Sequence, residues 1–143
     1  TYIDNYFGRY KGVKVFIDNV IQEARNTEKT ATLSGRIRLI PDINSNNGNL
    51  RRFAERIAIN TPIQGTAADL IKLAMIEVEK AVSKRGFRSA MLLSVHDEII
   101  LEVPPDELQE VSVLVKEIME GVWDLSVPLK VNVDSGDNWA DAH

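Results

Sequence analysis

Between about Leu50 and Lys84 the apolar residues Phe53, Ile57, Ala67, Ile71, Ala74, Val78 and Val82 recur at helical spacing. The periodicity predicts one long helix, along which any fold of the chain has to be built. Pro62 stands in its first half. Proline removes a backbone donor and crowds the carbonyl four residues back, so a kink or a break is expected there and not a straight rod.

Tyr2, Ile3, Tyr6, Phe7 and Tyr10 have helical spacing from the first residues, and the chain opens on Thr1, not Met. Five of nine aromatics fall within residues 1–16. The expectation is a piece of a larger protein whose apolar face lacks an upstream partner. A second helix is predicted after Gly12, with Val13, Phe16, Ile17, Val20, Ile21 and Ala24 on one side, ending near Asn26 to Lys29. Ala31–Leu33 and Arg36–Ile40 are short extended runs about Ser34-Gly35, closed by Pro41. Residues 42–49, with four asparagines, read as loop.

Beyond the long helix, Gly86 is a stop signal. Ser89–Val95 and Ile99–Val103 are apolar at nearly every position and read as two strands buried on both faces, joined at His96-Asp97-Glu98. Pro104-Pro105-Asp106 opens a helix with Leu108, Val111, Leu114, Val115, Ile118 and Val122 as its buried stripe. Leu129–Val133 alternates as a final strand, followed by a polar tail, Ser135-Gly136-Asp137-Asn138, pinned by Trp139. The order of elements predicts an α+β fold: a long kinked helix and amphipathic helices packed on a small antiparallel sheet.

Composition narrows the chemistry. At 143 residues, 44% hydrophobic and 27% charged, the chain has the makeup of an ordinary globular domain. No stretch approaches the roughly 20 apolar residues of a membrane-spanning helix, so no membrane partner is expected and a soluble intracellular protein is the default. Without cysteine there is no thiol catalysis or thiolate metal site, and any metal falls to oxygen ligands or to His96 and His143, which favours magnesium over zinc. His143 is expected to be solvated. The net charge of −4 is unlike a free-standing nucleic-acid binder, but it is unevenly spread. Ser34 to Arg56 holds five arginines against two acidic residues, whereas Asp97 to Asp124 holds nine acidic residues against Lys116 alone. A basic stretch beside an acidic one suits a phosphate-binding, metal-using site, and ordinary solvated faces produce the same pattern.

Two constellations stand out. In Val95-His96-Asp97-Glu98-Ile99 three ionisable residues cap an otherwise apolar hairpin. Plain turn chemistry would account for Asp97. His96 and Glu98 are not turn residues of choice, and adjacent carboxylates on an apolar hairpin would repel and be partly desolvated unless a cation neutralised them. Magnesium held by one or two carboxylates completes its shell with water and substrate phosphate, which implies a phosphoester or nucleotide substrate. The second constellation is Arg52, Arg56, Asn60 and Gln64, four apart along the long helix and therefore on one broad face that drifts by about 40° per step. Arginine grips phosphate bidentately, and Asn and Gln can donate to the degenerate acceptors of a minor groove. An intraprotein hydrogen-bonding face is the other reading. Gly35-Arg36-Ile37-Arg38 could touch backbone phosphate or be an exposed edge. Gly65-Thr66 makes no phosphate loop, and Ser94, His96 and Asp97 are too close in sequence for a hydrolase triad.

These residues resemble the C-terminal part of the family A DNA polymerases of the bacterial polymerase I type. Three pieces carry the resemblance: Leu50-Arg51-Arg52-Phe53-Ala54-Glu55-Arg56 continuing through Ile59-Asn60-Thr61-Pro62-Ile63-Gln64-Gly65-Thr66-Ala67-Ala68-Asp69; Val95-His96-Asp97-Glu98, similar to the family's motif C; and Ser135-Gly136-Asp137-Asn138-Trp139. It covers essentially the whole chain and implies the end of the fingers, about residues 1–86, leading into the C-terminal part of the palm, about 87–143. It also implies a DNA-directed DNA polymerase of replication and repair in the bacterial cytoplasm, with primer–template DNA and deoxynucleoside triphosphates as partners of the full-length protein. Asp97 would be the palm carboxylate that binds both Mg²⁺ ions and Glu98 its supporting neighbour. His96 would lie against the primer terminus, and Arg56, Asn60 and Gln64 would face the duplex, with Arg52 and Arg36 as further DNA contacts.

The departures bear on activity. Ile37 stands where the family often has another arginine. The other palm aspartate and the nucleotide-binding fingers helix would precede Thr1, so the isolated chain is expected to be inactive and its metal site only partly present. Exposed apolar surface would allow it to self-associate. Two other classes make different forecasts. A non-catalytic DNA-binding module would bind duplex regardless of Asp97→Asn, and a palm remnant serving as an interaction domain would show no salt-dependent DNA affinity.

Overall fold

A computed structural model describes residues 2–142, so the expected solvation of His143 lies outside the described residues. The chain divides into two compact units, residues 1–67 and 68–143.

In the first unit, helix α1 (Tyr2–Arg9) and helix α2 (Lys11–Thr27) precede a small hairpin of β1 (Lys29–Ala31) and β2 (Ile37–Leu39). The strands are antiparallel, with Thr30 opposite Arg38; β1 lies two residues earlier than expected and β2 is shorter than expected. Glu28 ends α2 in the left-handed region at φ 54°, where its N–H reaches the Ala24 carbonyl. Pro41–Asn44 is a 3₁₀ turn, not simple loop, and helix α3 (Gly48–Asn60) starts inside the predicted loop. Asn47 explains that early start, because its side chain accepts from the Asn49 and Leu50 N–H groups as an N-cap. The core is Ala24, Ile40, Ile43, Ala54 and Ala58, with Val20 and Ile57 packed against it.

The long helix is not interrupted at Pro62 but changes type there. After α3 comes a π-helical segment, Thr61–Gly65, and then helix α4 (Thr66–Arg85), which carries the chain into the second unit. Gly86 ends α4 at φ 71° with the Schellman pair of bonds, Gly86 N–H to Ser83 and Phe87 N–H to Val82, as its position in the sequence suggested.

In the second unit, strands β3 (Ala90–Val95) and β4 (Glu98–Glu102) form a separate two-stranded antiparallel sheet, so the described residues hold two small antiparallel sheets where one was expected. The register slips at Leu92, between the Met91↔Leu101 and Leu93↔Ile100 pairs, which is a β-bulge. The expectation that both faces are buried is corrected. Met91, Leu101 and Val103 pack onto Val78 and Val82 of α4 and onto Val111 and Val115 of α5 (Leu108–Gly121), but Leu92 and Leu93 are 57% and 42% exposed. One layer of helices covers one face only.

Residues 129–133 form no strand, a second correction. Alternation marks a segment that can pair, and no ladder partner is present among the described residues. The Val131 N–H instead donates to Glu120 Oε1 at 3.0 Å. The tail closes as a 3₁₀ turn, Trp139–Ala142, in which Trp139 is 47% exposed. Gly136 is required there, because a Cβ would sit 2.8 Å from the Ala142 nitrogen.

Candidate functional site

In the first unit Arg52, Arg56, Asn60 and Gln64 are all exposed. Arg52 donates to Asn49 Oδ1 in the first turn of α3 at 2.5 Å. The Arg56 guanidinium stands 5.9 Å from the ring centre of Phe53, which is 56% exposed, so the ring fixes the cation without removing it from water. Beside them lies an open groove of about 530 Å³ lined by Ile21, Asn49, Arg52, Glu55, Arg56 and Ile59. Glu55 faces Arg25 at 2.7 Å, which leaves the basic character of the groove to Arg52 and Arg56.

Arg36 has intramolecular partners. Its guanidinium donates to the Gly65 carbonyl at 3.2 Å and its backbone N–H to Thr32 Oγ1 at 3.2 Å. Gly65, which had suggested only a failed phosphate loop, closes the π-helical segment, and a Cβ there would stand 2.6 Å from Thr32 Cγ2.

In the second unit His96 and Asp97 form the two-residue link between Val95 and Glu98, which pair across the hairpin. His96 has φ 53°, and Asp97 has no positive φ, the φ pattern of a type II′ turn whose first position usually takes glycine. A side chain there costs roughly 1–2 kcal/mol, and strain of this kind clusters at functional sites. Sequence reasoning missed this strain and also the bulge at Leu92; a non-glycine residue at the first place of a two-residue link between apolar runs was the available signal.

Asp97 and Glu98 are exposed, which corrects the expectation that the pair is partly desolvated. Asp97 is exposed in the tight turn, and Glu98 is the first residue of β4. Among the described residues no group of three or more His, Asp or Glu is placed to hold an ion. Two exposed carboxylates suit a hard divalent ion that keeps several ligands from water and phosphate.

The foot of this hairpin is more heavily bonded than its tip. Glu107 accepts from the backbone N–H groups of Arg88 and Ser89 at 2.9 and 3.0 Å, from the Ser89 hydroxyl at 2.7 Å and from Arg88 Nε at 3.2 Å. Those bonds, the Ser89 hydroxyl first and then the Arg88 N–H, hold its carboxyl below the usual glutamate range. Asp106 takes the far side of the Arg88 guanidinium.

Comparison with known proteins places the whole chain in one family. Residues 1–141 match the model of DNA polymerase family A. DNA polymerase I of Lactococcus lactis subsp. lactis is 55% identical over 99% of the chain, and those of Geobacillus stearothermophilus and Thermus thermophilus are 48% and 46% identical. The chain spans about one sixth of the length of these relatives. A solved POL domain of Pol1 from M. smegmatis, in complex with DNA primer-template and dNTP, covers 98% of the chain at 44% identity with a TM-score of 0.95, and the chain covers 25% of it. With the long-helix motif and the hairpin carboxylates inside one continuous match, the chain belongs to DNA polymerase family A.

Proposed function

We propose that the protein carrying this chain is a DNA-directed DNA polymerase that extends a primer along a template with deoxynucleoside triphosphates. The observation that carries the reading is the likeness over 98% of the chain to a polymerase domain complexed with primer-template and dNTP. In the first unit, Arg52 and Arg56 would neutralise backbone phosphates while Asn60 and Gln64 donate to minor-groove acceptors that every sequence presents. That combination grips duplex without choosing a sequence, as a copying enzyme requires. In the second unit, His96 would meet the primer end.

Asp97 and Glu98 would hold a divalent ion, Mg²⁺ by the hardness of their oxygens, with water and phosphate completing its shell. Such an ion, when bound, supplies charge stabilisation to the oxygens of phosphoryl transfer. Both carboxylates are exposed at the end of the hairpin, where an ion they held would be within reach of a triphosphate.

The test is an anisotropy titration of a labelled primer–template duplex with the chain and with Arg56→Ala, at low and moderate salt. Affinity that falls with salt and with the substitution supports the assignment of the helix face. Affinity indifferent to both overturns it.

A further inference from the structure

The step from α3 to α4 has an unusual geometry. Along an α-helix a spacing of four overshoots a full turn, so Arg52, Arg56 and Asn60 drift by about 40° at each step. A π turn holds more residues, roughly 4.4, so four residues fall short of a turn by roughly 30°. The step from Asn60 to Gln64 runs through Thr61–Gly65 and therefore turns back. On that ideal geometry Gln64 would lie in azimuth between Arg56 and Asn60, where continued α-helix would have carried it away from them.

Four contacts from the β1–β2 hairpin fall on this step. The Thr30 hydroxyl donates to the Ala58 carbonyl at 3.3 Å. The Leu33 N–H donates to Thr66 Oγ1 at 2.9 Å, and that hydroxyl donates in turn to the Pro62 carbonyl at 2.5 Å. Arg36 holds the Gly65 carbonyl. The Thr32 methyl fills the space a side chain at Gly65 would need. This methyl cannot swing aside, because Thr32 is buried and its Oγ1 is engaged with the Ser34 hydroxyl at 2.7 Å and the Arg36 N–H.

We infer that the β1–β2 hairpin is a brace that sets the π-helical step, with Thr32, Gly65 and Arg36 as positioning residues for Asn60 and Gln64. The inference rests on the reading of the stripe as the duplex-facing surface, and it gives Arg36 a role other than phosphate contact.

The experiment uses the 143-residue chain with Gly65→Ala, Gly65→Ala/Thr32→Ser, Arg36→Ala and Arg56→Ala. The readouts are amide hydrogen exchange of residues 61–66 and the salt dependence of primer–template affinity. Gly65→Ala is expected to speed exchange across 61–66 by about tenfold or more, as local opening becomes easier. Thr32→Ser, which removes only the obstructing methyl, is expected to restore protection. Arg36→Ala is expected to weaken duplex binding several-fold with an unchanged salt slope, whereas a lost phosphate contact, as in Arg56→Ala, lowers that slope by about 0.9. Unchanged exchange in Gly65→Ala, absence of rescue by Thr32→Ser, or a slope lowered by Arg36→Ala would each overturn the brace. If Gly65→Ala does not fold, folding of the double variant supports the brace and Arg36→Ala decides it. If wild-type chain binds no duplex, the duplex-facing reading fails, while the exchange comparison still decides whether the hairpin sets the step.

Discussion

Thr30 Oγ1 donates to the carbonyl of Ala58 at 3.3 Å, and both residues are buried. Ala58 lies four residues before Pro62, which has no N–H to offer it. A hydroxyl 28 residues upstream thus serves an acceptor that the helix itself loses at its proline. The interruption legible in the sequence and the hairpin beside it are parts of one arrangement.

Thr30→Val keeps the shape of the side chain and removes the donor, leaving a buried carbonyl short of a partner. The expected cost is about 1 kcal/mol, at the low end of the range for an unsatisfied buried acceptor, given the length of the bond. Urea denaturation should show a lower midpoint for Thr30→Val, and Thr30→Ser should retain most of the wild-type stability. Equal midpoints for Val and wild type would show that the bond does not matter.

At the tip of the β3–β4 hairpin, stability and chemistry are expected to diverge. His96→Gly removes the cost of holding a side chain at φ 53° and should leave the chain at least as stable as wild type, after roughly 0.4–1 kcal/mol is returned through the more flexible unfolded state. His96→Val, with a branched Cβ in the same conformation, should lose about 1–2 kcal/mol. The order Gly, His, Val in thermal midpoints checks this, and a Val variant as stable as wild type would remove the strain from the account.

The elements that proved legible are those whose signal is local. Helical periodicity located α1 to α5, Gly86 marked the end of α4, and Pro62 marked the π-helical step, because each acts through its own backbone or its own face. Arg52, Arg56, Asn60 and Gln64 were legible in the same way as exposed residues of that helix, which is as far as local spacing reaches. What failed depended on distant partners. Residues 129–133 alternate like a strand but meet no ladder, Leu92 and Leu93 are apolar but uncovered, and the Gly65 carbonyl held by Arg36 lies 29 residues away in sequence. Asn47 was hidden among four asparagines, any of which could cap a helix, and the left-handed His96 was hidden because histidine is not a residue that turns require.

Glu107 gives the second unit an acid-sensitive foot. Its carboxyl titrates below the usual range because the Ser89 hydroxyl and the Arg88 N–H bind the charged form. A carboxylate depressed in the folded state adds stability that is present above the unfolded value of 4.5 and is lost as pH falls through the lower folded value. Stability measured by urea midpoint should therefore decline below about pH 4.5, and Glu107→Gln, lower at neutral pH, should show a shallower decline. Parallel pH profiles for the two proteins would exclude Glu107 as a source of the slope.

Asp97 and Glu98 are exposed at a turn, and the described residues bring no third candidate ligand to them. Two carboxylates without a dedicated cage should bind a divalent ion only at about millimolar concentrations or weaker. Water-proton relaxation during Mn²⁺ titration should show such binding, and Asp97→Asn should abolish it. If this carboxylate pair is all that holds the ion, the geometry of in-line attack would not be fixed, and positioning of that kind supplies a large share of the rate. Purified chain given primer–template, deoxynucleoside triphosphates and Mg²⁺ should therefore give no primer extension above a protein-free control. Extension that Asp97→Asn removes would show that this segment alone assembles a working site.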